Sequence, residues 1–400
     1  MRNRKLQVYP KGCWLGATVP PFPGFYKRNN TMYHFDNRIV ITLDAGGTNL
    51  VFGAMRGCEF IVDPVTIPSR ADNLDLCLQS MVNGFKTIID LLDEKPVAIS
   101  FAFPGPADYP NGIVGGFLPN FPSFRDGVAL GPFLQEKFGL PVFINNDGDL
   151  FAFGEAMAGA LPDINKRVAE LGSKKQYKNL LGYTFGTGFG IGSVIDGRLN
   201  LGNNACIETF CLPSRKNHDI MTEDFVAIRA IVREYNRIAG TNDFTLTPKD
   251  ICDIADGNRE GNRDAALESF RLFGEAAGDA MATAVTLTDS LIVIGGGLTG
   301  AARYIMPSLL KILRSTIHTI NGEQLQRVQM NVFDLDSEHE FEEFAHGDAR
   351  EIKVYGTDKT VTYDPMKRTG VMISKLGASK AISIGAYTYA LSQLDLSSAE

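Results

Sequence analysis

Apolar and polar positions along the 400-residue chain fall into blocks whose period changes between strand-like and helix-like. From Arg38, the residues Ile39, Val40, Ile41 and Leu43 read as a buried strand, with Leu50, Val51 and Phe52 as its return partner. Asp72 then caps a helix in which Leu74, Leu78, Met81, Val82, Phe85, Ile88, Ile89 and Leu92 recur at helical spacing. "VAISFAFPGPAD" predicts a buried strand stopped at Pro104-Gly105-Pro106. The loop "GFLPNFPSF" leads to a short helix and the strand "PVFIN", which ends at "NDGD" before a helix from Leu150 to about Ala160. "LLGYTFGTGFGIGSVIDGRL" predicts a second hairpin, helices cover 222–238 and 263–287, and the strand "SLIVIGGGLTG" turns into a helix through 301–319. Strands and helices therefore alternate, as in an α/β fold.

No short tandem repeat is present, but there is one long-range echo. An apolar strand, a Gly-Thr turn and an apolar return occur at Asp44–Phe52 and again at Phe185–Val194. Two domains that each open with such a hairpin on a shared cleft would place both loops on one nucleotide. The acidic stretch 334–351 and the alternating "EIKVYGTDKTVTY" read as an insertion, about 333–370, ending in a surface hairpin.

Composition narrows the class. Hydrophobic residues at 44% of 400 suffice for two packed domains, and 21% charged residues describe an ordinary globule. A net charge of -7 argues against a nucleic-acid partner, which would need a basic face. The N-terminus alone is basic, with Arg2, Arg4, Lys5, Lys11, Lys27, Arg28 and Arg38. Lys11 and the prolines at 20, 21 and 23 interrupt any apolar stretch a signal peptide would need. No run approaches the ~18 apolar residues of a membrane span, so no membrane partner is expected. Six cysteines (13, 58, 77, 206, 211, 252) are scattered without paired metal spacing, and a reducing cytoplasm is the expected compartment.

Three glycine loops carry the candidate chemistry. Asp44-Ala45-Gly46-Gly47-Thr48-Asn49 can be a hairpin turn, since Gly-Gly serves positive φ. It can equally be a phosphate loop, where bare amides approach an anion and Asp44 holds a hydrated metal ion. Gly186-Thr187-Gly188 follows a strand and could cradle the outer phosphates from the other side. Gly295 to Gly300 matches G-x-G-x-x-G, a weak signal by itself. The acidic residue expected about 20 positions later in a dinucleotide fold is missing, so the loop reads as a shelf for a nucleoside. Asn145-Asn146-Asp147 ends a strand before a helix. Asp149 can cap that helix, leaving Asp147 to face the cleft as a general base.

Taken together, "LDAGGTN", "FPGPAD…GGFLPNFPSF", "INNDGDLFAFGEA", "GYTFGTGFGIGSVIDGRL" and "VIGGGL" stand in the order of the ROK family of sugar kinases and repressors, which the chain resembles from about Arg38 to Ile320 and again at "VMISKLGASKAISIGAY". The resemblance implies two ribonuclease-H-like domains of the actin and hexokinase ATPase type closing over Mg-ATP and a sugar. The implied division is an arm at 1–37, a small domain at 38–144, a large domain at 145–377, and a C-terminal helix at 378–400 packing back on the small domain. By resemblance, Asp44 touches the magnesium shell through water, with Gly46, Gly47, Thr48 and Asn49 at the phosphates. Gly186, Thr187 and Gly188 form the second phosphate loop, and Gly296 and Gly297 the adenosine site. Asn120 and Asn146 become sugar ligands, and Asp147 the catalytic base.

The sequence also departs from the family pattern. "ACIETFCLPSRKN" keeps Glu208, a sugar ligand by resemblance, but Cys211 stands where a histidine would fall, and no Cys-x-Cys-Gly cluster follows. No structural zinc is therefore expected, with Cys206 and Cys211 as small core residues. Glu223 matches a second sugar glutamate or a surface helix cap, and His218 is off register. The implied activity is ATP-dependent phosphorylation of a hexose, glucose leading, in a homodimer. A kinase for an N-acetylated or amino hexose and a sugar-responsive repressor are the rivals. The repressor needs an N-terminal winged helix, and the 37 residues before the first strand show no helical period.

Overall fold

The computed structural model describes residues 32–105 and 107–398, so most of the basic arm lies outside the described residues. The chain first forms β1 (Val40–Ala45), β2 (Asn49–Arg56), β3 (Glu59–Phe60), β4 (Val65–Pro68), α1 (Leu74–Asp90) and β5 (Ala98–Ala102). The short pair β6 (Ala107–Asp108) and β7 (Ile113–Val114), then α2 (Leu130–Phe138) and β8 (Val142–Asn145), complete this half. The sheet order is β3-β2-β1-β5-β8, with β4 also on β2. β1 and β2 are antiparallel, whereas β1, β5 and β8 run parallel. Helix α1 covers one face through Cys77, Met81, Phe85 and Ile88. There Phe85 meets Phe52 edge-on with ring centroids 5.0 Å apart. Each such ring contributes on the order of 1.5–3 kcal/mol by burial. The cap of α1 is Asn73, whose side chain accepts from the Leu76 amide; Asp72 lies one residue outside.

Helices α3 (Asp147–Ala158) and α4 (Ala160–Glu170) lead to β9 (Leu180–Phe185), β10 (Phe189–Ile195) and β11 (Arg198–Leu199). After α5 (Ile228–Ala239), α6 (Pro248–Asp256) and α7 (Arg263–Thr288) comes β12 (Leu291–Gly295). Helix α8 (Ala302–Leu313) stops short of the expected 319, because 316–326 form the exposed hairpin β13 (Thr316–His318) and β14 (Gln324–Gln326). β15 (Asn331–Asp334), α9 (Glu338–His346), β16 (Arg350–Lys353), β17 (Thr360–Tyr363), β18 (Arg368–Ile373) and α10 (Ala378–Ser397) follow. The second sheet runs β11-β10-β9-β12-β18-β15. The order β2-β1-β5-β8 of the first half thus recurs as β10-β9-β12-β18, each an antiparallel hairpin feeding parallel strands. The echo between the two Gly-Thr turns is the visible end of this repetition.

Part of the stretch 333–370 packs into the second core. β15 pairs in parallel with β18, and Phe341 and Phe344 of α9 are buried against Phe333 and Leu335, so both elements belong to the second core. What projects is the hairpin β16–β17, with every residue exposed. Acid-rich sequence concealed α9 because its apolar face is only two phenylalanines and an alanine wide.

Helix α10 returns to the first sheet. Ile384, Tyr387, Ala390 and Leu391 pack with Val40, Met55 and Ala98. The Tyr387 hydroxyl accepts from the Gly57 amide at 2.9 Å. Arg38 pairs with both Asp36 and Asp395 at 2.7 Å. Helices α3 and α10 cross at two glycines: a Cβ on Gly154 would lie 2.0 Å from the Ala381 oxygen, and one on Gly385 1.9 Å from that of Leu150.

Candidate active site

The site gathers at the ends of β1 and β8, the turn between β9 and β10, and the turn after β12. Asp44 lies exposed near the end of β1, before a tight turn closed by the Gly46 amide donating to the Asn49 oxygen at 3.0 Å. A Cβ on Gly47 would sit 3.0 Å from both the Cβ and the oxygen of Asn120, so this glycine turn abuts the loop "LPNFPSF". That loop is anchored by Phe121 and Phe124, both fully buried, packed on Phe103 with centroids 4.6 and 5.2 Å away. Asn120 itself stays exposed.

At the end of β8, Asn146 is the cap of α3, its side chain accepting from the Gly148 amide at 2.8 Å. The sequence expectation gave that duty to Asp149, which instead lies inside the first turn. An extended backbone at Asn146 and the reach of its short amide make it the better cap. Asp147 opens the helix as an exposed residue, while its carboxyl has many protein atoms around it. Burial raises the proton affinity of its carboxyl and the amides of Gly148 and Asp147 lower it; the charge of Asp44 raises it again, leaving it above the usual range. Asp149 is pushed up to about 7, by burial and then by Asp147. Glu208 is pushed up to about 8, by burial and then by Asp149, Asp147 and Glu223. Asp44, Asp147, Asp149, Glu208 and Glu223 therefore form one chain of electrostatic neighbours. Tyr109, unnoticed in the sequence, belongs beside them: its hydroxyl donates to the Phe103 oxygen at 2.9 Å, and Asn146, Asp147, Asp149 and Glu208 all act on it.

The start of α3 lies directly on the second hairpin. A Cβ on Gly148 would be 2.7 Å from the Ile191 oxygen, and one on Gly192 2.2 Å from the Gly148 oxygen. The alternating glycines thus let the helix carrying Asp147 rest on strand backbone. Gly296, at φ +98°, would place a Cβ 2.3 Å from the Phe185 oxygen, joining the third loop to the root of the second. Gly297 faces open space.

Glu223 lies beside Glu208 and the second glycine turn. One of its oxygens accepts from the Phe189 amide at 3.0 Å and the other from Arg229 at 3.0 Å. It braces the second glycine turn, and the cap of its own short helical turn is Met221. Cys206 and Cys211 are exposed, not in the core, on either side of the buried Thr209 in a loop outside the sheets. His218 is exposed as well.

The model of the ROK family matches residues 40–334. The chain belongs to the ROK family. Its fold is the actin-like ATPase arrangement of two domains shared by ROK kinases of known structure. A solved glucokinase from Parabacteroides distasonis is 55% identical, with a TM-score of 0.83 over 90% of this chain and 99% of that one. The glucokinase of Thermotoga maritima is 26% identical over 318 residues, 68% of this chain and 89% of that protein. An N-acetyl-D-glucosamine kinase of Vibrio parahaemolyticus is 29% identical over 164 residues, covering 40% of this ROK chain and 48% of the relative.

Proposed function

We propose that the chain is an ATP-dependent hexokinase, moving the γ-phosphate of ATP to the 6-hydroxyl of a hexose, with glucose the leading acceptor. The observation that carries this reading is the contact of Gly47 with Asn120, which puts an anion-binding turn against the loop proposed to hold sugar. The names of the Parabacteroides and Thermotoga relatives support glucose. In this reading Asn120, Asn146, Glu208 and Glu223 hold the sugar hydroxyls. Gly46, Gly47, Thr48, Asn49, Gly186, Thr187 and Gly188 present amides and short polar groups to the phosphates, and Gly296 and Gly297 support the adenosine. Asp147 accepts the proton of the attacking hydroxyl, its raised proton affinity suiting a base that works near neutrality.

Neither glycine turn contains a lysine, and acidic side chains gather beside both, so a bare triphosphate would find little positive charge there. Hard carboxylate oxygens are the donors Mg²⁺ takes, usually one or two of them with water and phosphate, and Asp44 is the residue proposed to hold it. When bound, Mg²⁺ neutralises phosphate charge during transfer.

A coupled assay of ATP consumption over glucose, mannose, glucosamine, N-acetylglucosamine and N-acetylmannosamine tests the acceptor. Fastest turnover on glucose is expected, abolished by excess chelator and restored by Mg²⁺. A clear preference for an N-acetylated sugar would move the substrate to the class of the Vibrio relative. Turnover unaffected by chelator would refute the metal role.

A further inference from the structure

A circuit of hydrogen bonds closes on the end of β8, where Asn146 stands. Phe103, just past β5, donates its amide to the Asn145 oxygen at 3.0 Å, and its own oxygen accepts from the Tyr109 hydroxyl at 2.9 Å. Burial raises the proton affinity of that hydroxyl, and the Asn146 side chain, hydrogen-bonded to it, lowers it as a donor does. The path runs from the Asn145 backbone through Phe103 and Tyr109 to the Asn146 amide, one residue from its start. Oδ1 of Asn146 already takes the Gly148 amide at 2.8 Å, so Nδ2 is the end that meets the hydroxyl.

Tyr109 is built into this place. It is buried and opens the short helical turn Tyr109–Asn111 between β6 and β7, with Pro110 inside the turn. The cap is Asp108, whose side chain accepts from the Asn111 amide at 3.4 Å. Gly105 leaves room for the hydroxyl: a Cβ there would lie 2.8 Å from its oxygen. A hydroxyl has a single proton, and giving it to Phe103 leaves only lone pairs for Asn146. The sense of every bond in the circuit is thereby fixed. One N–H of the Asn146 amide is used, and the other remains for an oxygen in the cleft. An amide held at both ends loses little rotational freedom when it binds.

We propose that Tyr109 is a positioning residue of the sugar site, holding the Asn146 amide so that its free N–H meets a hydroxyl of the hexose. The ligand is taken from the kinase reading, on which this assignment rests. Tyr109 itself touches neither the sugar nor the phosphates in this arrangement; it acts through Asn146 alone.

Tyr109→Phe keeps the ring and removes the hydroxyl. Steady-state kinetics should show kcat/KM for the accepted hexose falling about three- to tenfold through KM, the loss of one buried hydrogen bond. KM for ATP, and calorimetric binding of Mg-AMPPNP without sugar, should stay within about twofold. In an Asn146→Ala background, assayed at high enzyme concentration, the same substitution should change kcat/KM by less than about twofold, because no amide remains to be held. Gly105→Ala crowds the hydroxyl from the other side and carries the same expectation, which keeps the test open if Tyr109→Phe fails to fold; thermal unfolding identifies such a failure. Hexose KM unchanged in the folded variants would overturn the proposal. So would an equal loss with and without Asn146, which would make Tyr109 a packing residue. A wild-type chain that phosphorylates no sugar would overturn the kinase reading and this assignment with it, whereas an active chain indifferent to Tyr109→Phe would overturn this assignment alone.

Discussion

Asp149 stands two residues beyond Asp147 in the first turn of α3, and its carboxyl is pushed up to about 7, by burial and then by the charge of Asp147. One carboxylate of the pair can be charged at neutral pH more readily than both, which divides their duties.

Asp147→Asn removes the proposed proton acceptor and keeps the shape. Expected is a loss of kcat by at least about a hundredfold with little change in hexose KM, within the ~10²–10⁴ that general-base assistance supplies. Asp149→Asn imitates the protonated acid this residue tends toward, and the cap of α3 is Asn146, so activity should remain within a few fold. Steady-state kinetics decide. A normal Asp147→Asn beside a dead Asp149→Asn would reverse the assignment.

Stability should fall as pH rises. Asp149, near 7, and Glu208, near 8, keep protons in the folded chain that the unfolded chain releases around pH 4. The folded state then binds more protons between about pH 4 and 8, so stability is fullest at the acid end and is lost as pH passes the folded values. Thermal unfolding of the free protein at pH 5, 6, 7 and 8 should give a declining Tm, and Glu208→Gln should flatten the decline. A Tm that climbs from pH 5 to 8 would contradict this placement of the carboxylates.

The crossing of α3 and α10 leaves no room for a methyl group. Gly385→Ala would set a Cβ 1.9 Å from the Leu150 oxygen, so the two helix backbones must separate. Overpacking of this kind costs about 1–3 kcal/mol or more, and a Tm several degrees lower is expected. A variant as stable as the parent would show that the helices are not in backbone contact.

The glycine turns and apolar strands were legible in the sequence because both are local signals: a few residues decide each. The chemistry at "NND" was legible as a strand end, but the division of labour within it was not. Capping depends on backbone angles at Asn146 that composition does not reveal. The brace that Glu223 makes was not legible for a different reason. Its partner Phe189 is 34 residues away, and no spacing rule brings a turn amide to a distant carboxylate. Cys206 and Cys211 failed as core residues because a loop outside the sheets has no periodicity to show which face is inward. The strand β15, four residues long before an acidic helix, gave too little apolar length to be told from an insertion.

The cover that α10 gives to the first sheet sets an order of events while the chain is being made. Val40, Met55 and Ala98 leave the ribosome early, yet Tyr387, Ala390 and Leu391, which close over them, come roughly 290 residues after Ala98. At ~5–20 residues per second, that apolar patch waits on the order of 15–60 s for its lid. The first half can pair its strands and seat α1 during that time, but one side of its sheet stays wet until α10 has been made. The apolar face of the first sheet is thus finished by a segment made long after it, and shelter for that face in the interval bears on how much of the chain folds.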